Sequence, residues 1–460
     1  MTSHERQAGA GAALDMNRCL NHTHPHPSPP LVSSLPLVPF LVHPTAPRIT
    51  HNNHSMAREQ SHGTFDMVVL GSGGGPLETD LSGYLVKPTA ARWEDGMLGL
   101  EGGSGIGSLT ALLQRQTAAE LFPDLAFPST HTTPVLQAAF VFSLLSCYLI
   151  THAHLDHCSS LILLSGSIPP RPSSDPLTHP PLEVPRLPVY ATRKTLERLA
   201  MAYGGELWPE LGTWALDRGG RQGVVGEEMV RRGSATGDAD QLGSGGGTGV
   251  VFTPIPVAED YIPLHPTLPI TTRKFHVLHG CTSKGVYESS AIFFRYQRRG
   301  AAGSSSQSGR EFLFFGDVES DWRRQGEGGV DREGQVQARG YNGVVWHHAA
   351  RVWDEDRLAG VFIECSYDSE RPAHLMFGHL CPQALYHELE RLASMVTRRP
   401  GRKPLQGLRV FVTHIKDSLV PHPTGTTARE RIMSELRVLE QQRGVGVVFV
   451  EVRRGDRIVI

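Results

Sequence analysis

The chain has 460 residues, and its 44 lysines and arginines nearly balance 46 aspartates and glutamates, which gives a formal net charge of −2. This length exceeds the usual single-domain size, although one large α/β unit with insertions is compatible with it. The near-zero charge argues against a nucleic-acid-binding protein without excluding one. The six cysteines are scattered without a CxxC pair, which indicates the reduced thiols of an intracellular, cytoplasmic protein.

Residues 1–63 are rich in His, Pro, Ser and Ala and show no helical or strand periodicity. We therefore predict a disordered tail followed by one domain over residues 64–460. The apolar stretch 31–42 is short and is interrupted by two prolines, so it cannot cross a bilayer as a helix, and no membrane anchor is expected. Glycine-rich and polar composition predicts flexible insertions near 219–248, 300–309 and 323–343.

Strand and helix patterns alternate along the predicted domain. Strands are predicted at 64–70, 81–86, 97–101, 188–191, 250–255, 273–278, 290–296, 311–315, 358–364, 408–413 and 447–452. Helices are predicted at 108–116, 192–201, 382–396 and 429–442, glycine-rich turns at 71–76 and 102–107, and a helix followed by a strand within 135–150. The alternation predicts an α/β protein with layered sheets.

An apolar run from Tyr148 leads directly into four potential metal ligands: His152, His154, Asp156 and His157. In an extended segment, side chains two residues apart point the same way, so the first three should project from one side of a strand end. The fourth joins them if the chain turns there. A helix capped by a serine at 159 or 160 is predicted just past that turn. Imidazole and carboxylate together suit zinc or manganese.

Three other predicted strands also end in a residue that could bind metal: His279, Asp317 and His414. The ends of neighbouring strands are where α/β sheets assemble their sites. A single histidine at a strand end is more often structural. Four strand ends of this kind in one chain predict a shared metal-binding site.

These motifs resemble those of the class II cyclic-nucleotide phosphodiesterases, which have a metallo-β-lactamase fold. The most specific match is Thr151-His-Ala-His-Leu-Asp-His157. Shorter matching stretches include Gly73-Gly-Gly-Pro76, Gly103-Ser-Gly-Ile-Gly107, Glu364-Cys-Ser-Tyr367, Phe377-Gly-His-Leu380 and Thr413-His-Ile-Lys416. Cys158 departs from the aliphatic residue usual in the family, and Glu101 departs from its aspartate. The resemblance covers about residues 64–460 and implies a metallo-β-lactamase-like four-layered αβ/βα sandwich.

The resemblance also implies two divalent metal ions, with Zn²⁺ expected and Mn²⁺ or Fe²⁺ as alternatives. One ion would be held by His152, His154 and His279, the second by Asp156, His157 and His414, and Asp317 would bridge them. Such a pair of ions activates a shared water for attack on a phosphorus atom. The candidate catalytic residues are Asp156 and His379. His379 would be a phosphate contact or a proton donor, and a supporting histidine at a helix start is an equal alternative. Glu364 and Lys416 would orient ligands or form a buried pair.

The activity implied by the resemblance is hydrolysis of 3′,5′-cyclic nucleotides to nucleoside 5′-monophosphates, which ends cyclic-nucleotide signalling. The substrate is expected to be cAMP, with cGMP as an alternative, and neither a nucleic acid nor a membrane is expected as partner. A nuclease that trims tRNA 3′ ends shares the motif but should carry a basic RNA-holding arm. Neither of the two larger polar insertions is markedly lysine-rich, although the first holds several arginines. Two further hypotheses are a glyoxalase-type thioesterase and a metal-binding scaffold without turnover. The sequence does not set the oligomeric state.

Overall fold

The structure is a computed structural model that describes residues 63–169, 187–215, 249–256, 259–297, 309–321 and 341–460. The predicted tail and most of the three predicted insertions lie outside these residues, so the domain limits stay a prediction. The last three residues of the predicted insertion at 323–343 belong to a helix, Tyr341–Asp354. Over the described ranges, we find no helix that combines the length and the apolarity needed to cross a bilayer.

The described residues form strands and helices that follow most of the predicted alternation. The strands are β1 (Phe65–Gly74), β2 (Leu81–Pro88), β3 (Met97–Gly102), β4 (Leu145–Leu149), β5 (Leu187–Ala191), β6 (Gly212–Trp214), β7 (Val250–Pro254), β8 (Ile262–His265), β9 (Leu268–Thr282), β10 (Gly285–Tyr296), β11 (Glu311–Phe315), β12 (Leu358–Glu364), β13 (Arg409–Thr413), β14 (Val448–Glu451) and β15 (Arg457–Val459). The helices are α1 (Ile106–Leu113), α2 (Ala118–Leu121), α3 (Pro134–Ser143), α4 (Leu155–Leu164), α5 (Arg193–Ala200), α6 (Tyr341–Asp354), α7 (Pro382–Met395) and α8 (Ala428–Arg443).

The strands form two sheets. The first has the order β15-β1-β2-β3-β4-β5-β7-β6, and the second has the order β14-β13-β12-β11-β10-β9-β8. Strands β11 to β14 run parallel, with Phe314 opposite Phe362 and Glu364 opposite Thr413. Parallel neighbours end at the same edge of the sheet, so this register brings the residues that follow β11 and β13 together.

Apolar side chains fill three layers around the two sheets. Between the sheets, rings from opposite sheets pack edge to face, with centroids 4.9 Å apart for Phe65 and Phe312. Helices α1, α3, α4 and α5 cover the outer face of the first sheet, and α6, α7 and α8 cover the outer face of the second. Burying such side chains contributes about 1.5–3 kcal/mol for each one, which makes the layers the main source of stability. The predicted four-layered αβ/βα arrangement is confirmed.

Two predicted boundaries differ from the structure, and three short strands were not predicted. The glycine-rich segment 71–74, predicted as a turn, belongs to β1, where register shifts against β2 accommodate the glycines. Strand β9 continues to Thr282, so His279 lies inside a strand and not at its end. Strands β6, β8 and β15 have three or four residues each, which is too short for the alternating pattern to reveal them.

Candidate metal centre

The four ligands of the central motif lie on two kinds of backbone. Strand β4 ends at Leu149, the chain bends at Thr151, and His154 has an extended backbone just before the first residue of α4. His152 and His154 therefore lie on the connection that follows the strand, close to its predicted end. Asp156 and His157 lie in the first helical turn, so the prediction that Asp156 projects from a strand is wrong. The helix begins four residues before the predicted serine cap, and Ser159 instead donates from inside it to the Gly103 carbonyl, 3.2 Å away.

The first group of possible ligands combines His152, His154, His279 and Asp317, whose ligand atoms all lie within 4.8 Å of one another. His279 Nε2 is 3.1 Å from His154 Nδ1 and 3.5 Å from Asp317 Oδ2. Asp317 Oδ2 is also 3.6 Å from His152 Nε2. The other ring nitrogen of His279, Nδ1, donates to the Gly378 carbonyl at 3.0 Å. This bond fixes the tautomer and leaves the Nε2 lone pair free to bind metal.

The second group combines Asp156, His157, His414 and again Asp317. His414 Nε2 lies 3.1 Å from Asp317 Oδ1 and 3.2 Å from Asp156 Oδ2. His157 Nε2 lies 3.2 Å from Asp317 Oδ1. Asp317 thus turns one carboxylate oxygen to each group. The structure brings all seven residues predicted as ligands into one place.

The buried polar atoms of this cluster fit divalent cations. His152 Nε2 and Asp317 Oδ2 are buried and lack a hydrogen-bond partner within the described part of the chain. The Nε2 atoms of His157 and His414 face each other at 3.1 Å. A buried polar atom without a partner costs about 1–3 kcal/mol, and a cation would satisfy several of these atoms at once. Imidazole nitrogens with carboxylate oxygens form a donor set that suits Zn²⁺.

Close backbone packing holds the second group in position. His414 has a left-handed backbone with φ of 59°, and its N–H donates to the Ser72 carbonyl at 2.6 Å. Its Nδ1 lies 3.0 Å from Ser366 Oγ. Gly74 lies against the imidazole, because a Cβ at this position would come within 2.3 Å of His414 Cε1. The glycine-rich part of β1 therefore provides space for a ligand, which a side chain would take away.

Comparison with known proteins shows which proteins this chain resembles. Residues 257–455 match the family model described as class-II cAMP phosphodiesterases. The 3′,5′-cyclic-nucleotide phosphodiesterase of Candida albicans is 23% identical over 456 residues, which cover 86% of this chain and 100% of that protein. The one of Schizosaccharomyces pombe is 25% identical over 85% of this chain and 92% of its own length. The chain is thus similar to class II cyclic-nucleotide phosphodiesterases over most of its length.

The fold of this chain is shared with a solved structure. Unliganded yeast PDE1 aligns with a TM-score of 0.62 and 21% identity, over 86% of this chain and 100% of that one. The α/β fold with two layered sheets that the sequence predicts is therefore shared with that structure.

The first group's histidines are neutral near neutral pH, as metal binding requires. Burial lowers the pKa of His154 to about 4, and it also lowers the pKa of His152 and of His279. Asp317 behaves in the opposite way. Burial alone raises the pKa of its carboxyl group, but the imidazoles of His414 and His157 bring it well below its usual range. The shared carboxylate is thus charged while the three nitrogens keep their lone pairs.

A second buried carboxylate, Glu364, supports the centre from behind. It accepts hydrogen bonds from the Val318 N–H at 2.8 Å and from Ser366 Oγ at 2.5 Å, and the same hydroxyl reaches His414. It lies 3.0 Å from His379 Nδ1. Of the two roles that the sequence left open for Glu364 and Lys416, pairing with each other is wrong. The partner of Glu364 is His379, whereas Lys416 Nζ lies 3.7 Å from Asp156 Oδ2 and donates to the Gly74 carbonyl.

Sequence reasoning missed two contacts at the centre. Glu101, noted only as a departure from the family, accepts the Thr151 N–H at 3.3 Å and lies 3.6 Å from His157 Nδ1. The ring of Tyr287 stacks on His154 with centroids 4.3 Å apart. Tyr287 lies in β10 outside any recognised motif, so nothing in the sequence signalled it. Cys158 is tolerated in place of an aliphatic residue, because its thiol is buried and donates to the His154 carbonyl.

We expect the stability conferred by His379 to depend on pH. Burial lowers its pKa, but the Glu364 carboxylate raises it above the ordinary value of 6.5 overall. The folded protein therefore binds this proton more tightly than the unfolded chain, and the stabilisation is complete below pH 6.5 and lost as pH rises through the folded pKa. In metal-free protein, urea unfolding should show a larger deficit for His379→Gln at about pH 5.5 than at about pH 9. An equal deficit at both pH values would contradict the charged pair.

Proposed function

We propose that this protein hydrolyses 3′,5′-cyclic nucleotides, with cAMP as the expected substrate, to nucleoside 5′-monophosphates, and that the reaction requires divalent metal ions. The observation that carries the proposal is that Asp317 belongs to both ligand groups described above and turns one carboxylate oxygen to each. Similarity to proteins named as 3′,5′-cyclic-nucleotide phosphodiesterases supports this reaction among those that a two-metal site can perform.

The seven clustered residues would divide between two ions. In the proposal, His152, His154 and His279 hold one ion, Asp156, His157 and His414 hold the other, and Asp317 binds both. When bound, the ions would lower the pKa of a water between them and neutralise charge on the phosphoryl oxygens. The donor set favours Zn²⁺, with Mn²⁺ or Fe²⁺ as alternatives.

His379 is the residue we propose as proton donor to the leaving 3′ oxygen. Its ring lies between two of the proposed ligands, with centroids 4.7 Å from His279 and 5.3 Å from His414. The Glu364 carboxylate, which accepts a hydrogen bond from Nδ1, raises the pKa of His379 and so favours the protonated imidazole. The departing alkoxide needs a proton, and a charged imidazole beside the metal centre can supply it.

A cytoplasmic location belongs to the same proposal. Among the described residues, Cys147, Cys158, Cys281, Cys365 and Cys381 are free thiols. Free thiols are typical of a reducing compartment.

Rate assays combined with metal analysis test the proposal. The purified protein should contain about two ions per chain and hydrolyse cAMP. His154→Ala should abolish the activity and lower the metal content without unfolding the protein, whereas the exposed His347→Ala on α6 should change neither. Hydrolysis of bis(p-nitrophenyl) phosphate without cyclic-nucleotide turnover would instead favour a nuclease, and two bound ions without any turnover would favour a scaffold. Turnover of a thioester would favour a glyoxalase-type enzyme.

A further inference from the structure

Phe377 combines an unfavourable backbone with an exposed ring. Its φ of 52° lies in the left-handed region, which crowds the Cβ of any residue except glycine. Its side chain is 64% exposed, so the ring gains little from burial within the fold. Glycine would fit the backbone better, and a polar residue would fit the exposure better. Residues with a strained backbone cluster at functional sites.

The segment that carries Phe377 is fixed against the metal centre. The next residue, Gly378, accepts the Nδ1 hydrogen bond of His279 at 3.0 Å. A Cβ at Gly378 would lie only 2.4 Å from the Gly280 nitrogen, so the two backbones are in close contact. The residue after that is His379. Phe377 therefore carries an exposed ring two residues before His379, on backbone that cannot move far from the proposed ligand His279.

The Arg371 guanidinium lies near both the Phe377 ring and a second aromatic ring. The Arg371 guanidinium is 5.9 Å from the centroid of Phe377 and 4.4 Å from that of Tyr367. The Tyr367 ring in turn lies 5.8 Å from His379. Aromatic rings and guanidinium planes are the groups on which proteins stack nucleobases, because every base offers a π-face.

We propose that Phe377 is the stacking face for the nucleobase of the substrate. This inference rests on the proposed function, since it places the cyclic phosphate at the metal centre and the base at the rim beside it. Phe377 would then determine affinity for nucleotides over base-free sugar phosphates. The strain of its backbone is tolerated because it aims the ring out of the fold and toward the ligand.

Equilibrium binding to the metal-loaded protein tests this assignment without requiring turnover. The probes are AMP and ribose 5-phosphate, which differ by the base alone. We expect Phe377→Leu to weaken AMP binding about tenfold and to leave ribose 5-phosphate binding unchanged, because leucine keeps an apolar side chain but has no flat face. Phe377→Tyr should retain the wild-type affinity for AMP. The KM for cAMP should rise in parallel in Phe377→Leu, while kcat changes little.

A second variant separates this function from a structural role. Phe377→Gly relieves the left-handed strain, so its melting temperature should equal or exceed that of the wild type while AMP binding weakens as in Phe377→Leu. Val438→Ala on α8 removes another exposed apolar side chain and should leave AMP affinity unchanged. A lower melting temperature for Phe377→Gly, with AMP affinity preserved, would show that the ring is structural and overturn the inference.

The remaining outcomes also support or overturn the base contact. An unchanged ratio of AMP to ribose 5-phosphate affinity in Phe377→Leu overturns the inference, even when the wild type hydrolyses cAMP. Dissociation of an oligomer by Phe377→Leu, with AMP affinity preserved, assigns the ring to a contact between copies and likewise overturns it. A wild type without cAMP turnover refutes the proposed function, but selective loss of AMP affinity in Phe377→Leu still supports the base contact.

Discussion

Asp317→Asn is expected to reduce kcat/KM for cAMP by about 10³-fold or more and to lower the metal content below two ions per chain. Asparagine keeps the size of the side chain but removes its negative charge. It also replaces one carboxylate oxygen with an amide nitrogen, which cannot bind a cation. Both oxygens of Asp317 are in use, since Oδ1 lies 3.1 Å from His414 Nε2 and Oδ2 lies 3.5 Å from His279 Nε2. One substitution should therefore weaken both ligand groups. Metal analysis and steady-state kinetics on the same preparation would measure this.

A second buried aspartate provides the matched control. Asp66 is as buried as Asp317. It accepts two hydrogen bonds of 2.8–2.9 Å from the Arg457 guanidinium and belongs to neither ligand group. Asp66→Asn should lower the free energy of unfolding, because it leaves the buried Lys87 ammonium and the partly exposed Arg457 guanidinium without their counter-charge. It should keep both ions and the activity of the folded protein. An Asp317→Asn protein that retains two ions and nearly normal activity would show that this carboxylate does not link the groups.

Much of the centre was predictable because its ligands follow apolar runs that are recognisable as strands. Asp317 and His414 follow β11 and β13 as predicted, and the parallel register of these strands explains why distant segments meet. The motif from His152 to His157 was equally visible, since four ligands in six residues are rare outside metal sites. Sequence also supports the sheet layers, because buried strands appear as continuous apolar stretches.

The parts that could not be predicted depend on contacts between distant residues. Glu101 and His157 are 56 positions apart, and only the folded chain shows that their side chains approach to 3.6 Å. The pairing of Glu364 with His379 instead of Lys416 is decided by which side of β12 faces the loop before α7. Helix α6 was not predicted, because it begins inside a polar, glycine-rich stretch. Its own residues Trp346 and Val352 are fully buried. The start of α4 was misplaced because serine is a strong capping signal, whereas His154 precedes the helix without a side-chain cap.

Gly74→Ala is expected to lower kcat/KM for cAMP by about 10- to 100-fold, although it removes no ligand. The added Cβ would lie 2.3–2.9 Å from three atoms of the His414 imidazole. This ring cannot move aside freely, because its backbone N–H is bonded to Ser72 and its Nδ1 lies 3.0 Å from Ser366 Oγ. Either His414 leaves its position or β1 shifts, so the second ion should bind more weakly. Overpacking of this kind should also cost about 1–3 kcal/mol of stability.

Gly107→Ala is the control for replacing glycine itself. Gly107 lies in the first turn of α1, and a Cβ there would meet nothing within 4 Å. Alanine favours a helix by about 1 kcal/mol over glycine, so this variant should be slightly more stable than the wild type and fully active. Titration of metal-free protein with Zn²⁺, followed by assay at each metal ratio, would compare the two variants. Normal affinity for two ions together with a normal rate of cAMP hydrolysis in Gly74→Ala would contradict this prediction. In that case His414 either is not a ligand or moves away from the added Cβ without losing its metal ion. If only the second ion is lost, then displacing the intact His414 imidazole is enough to weaken binding of that ion. This result would assign His414 to the second ion without any substitution of the histidine itself.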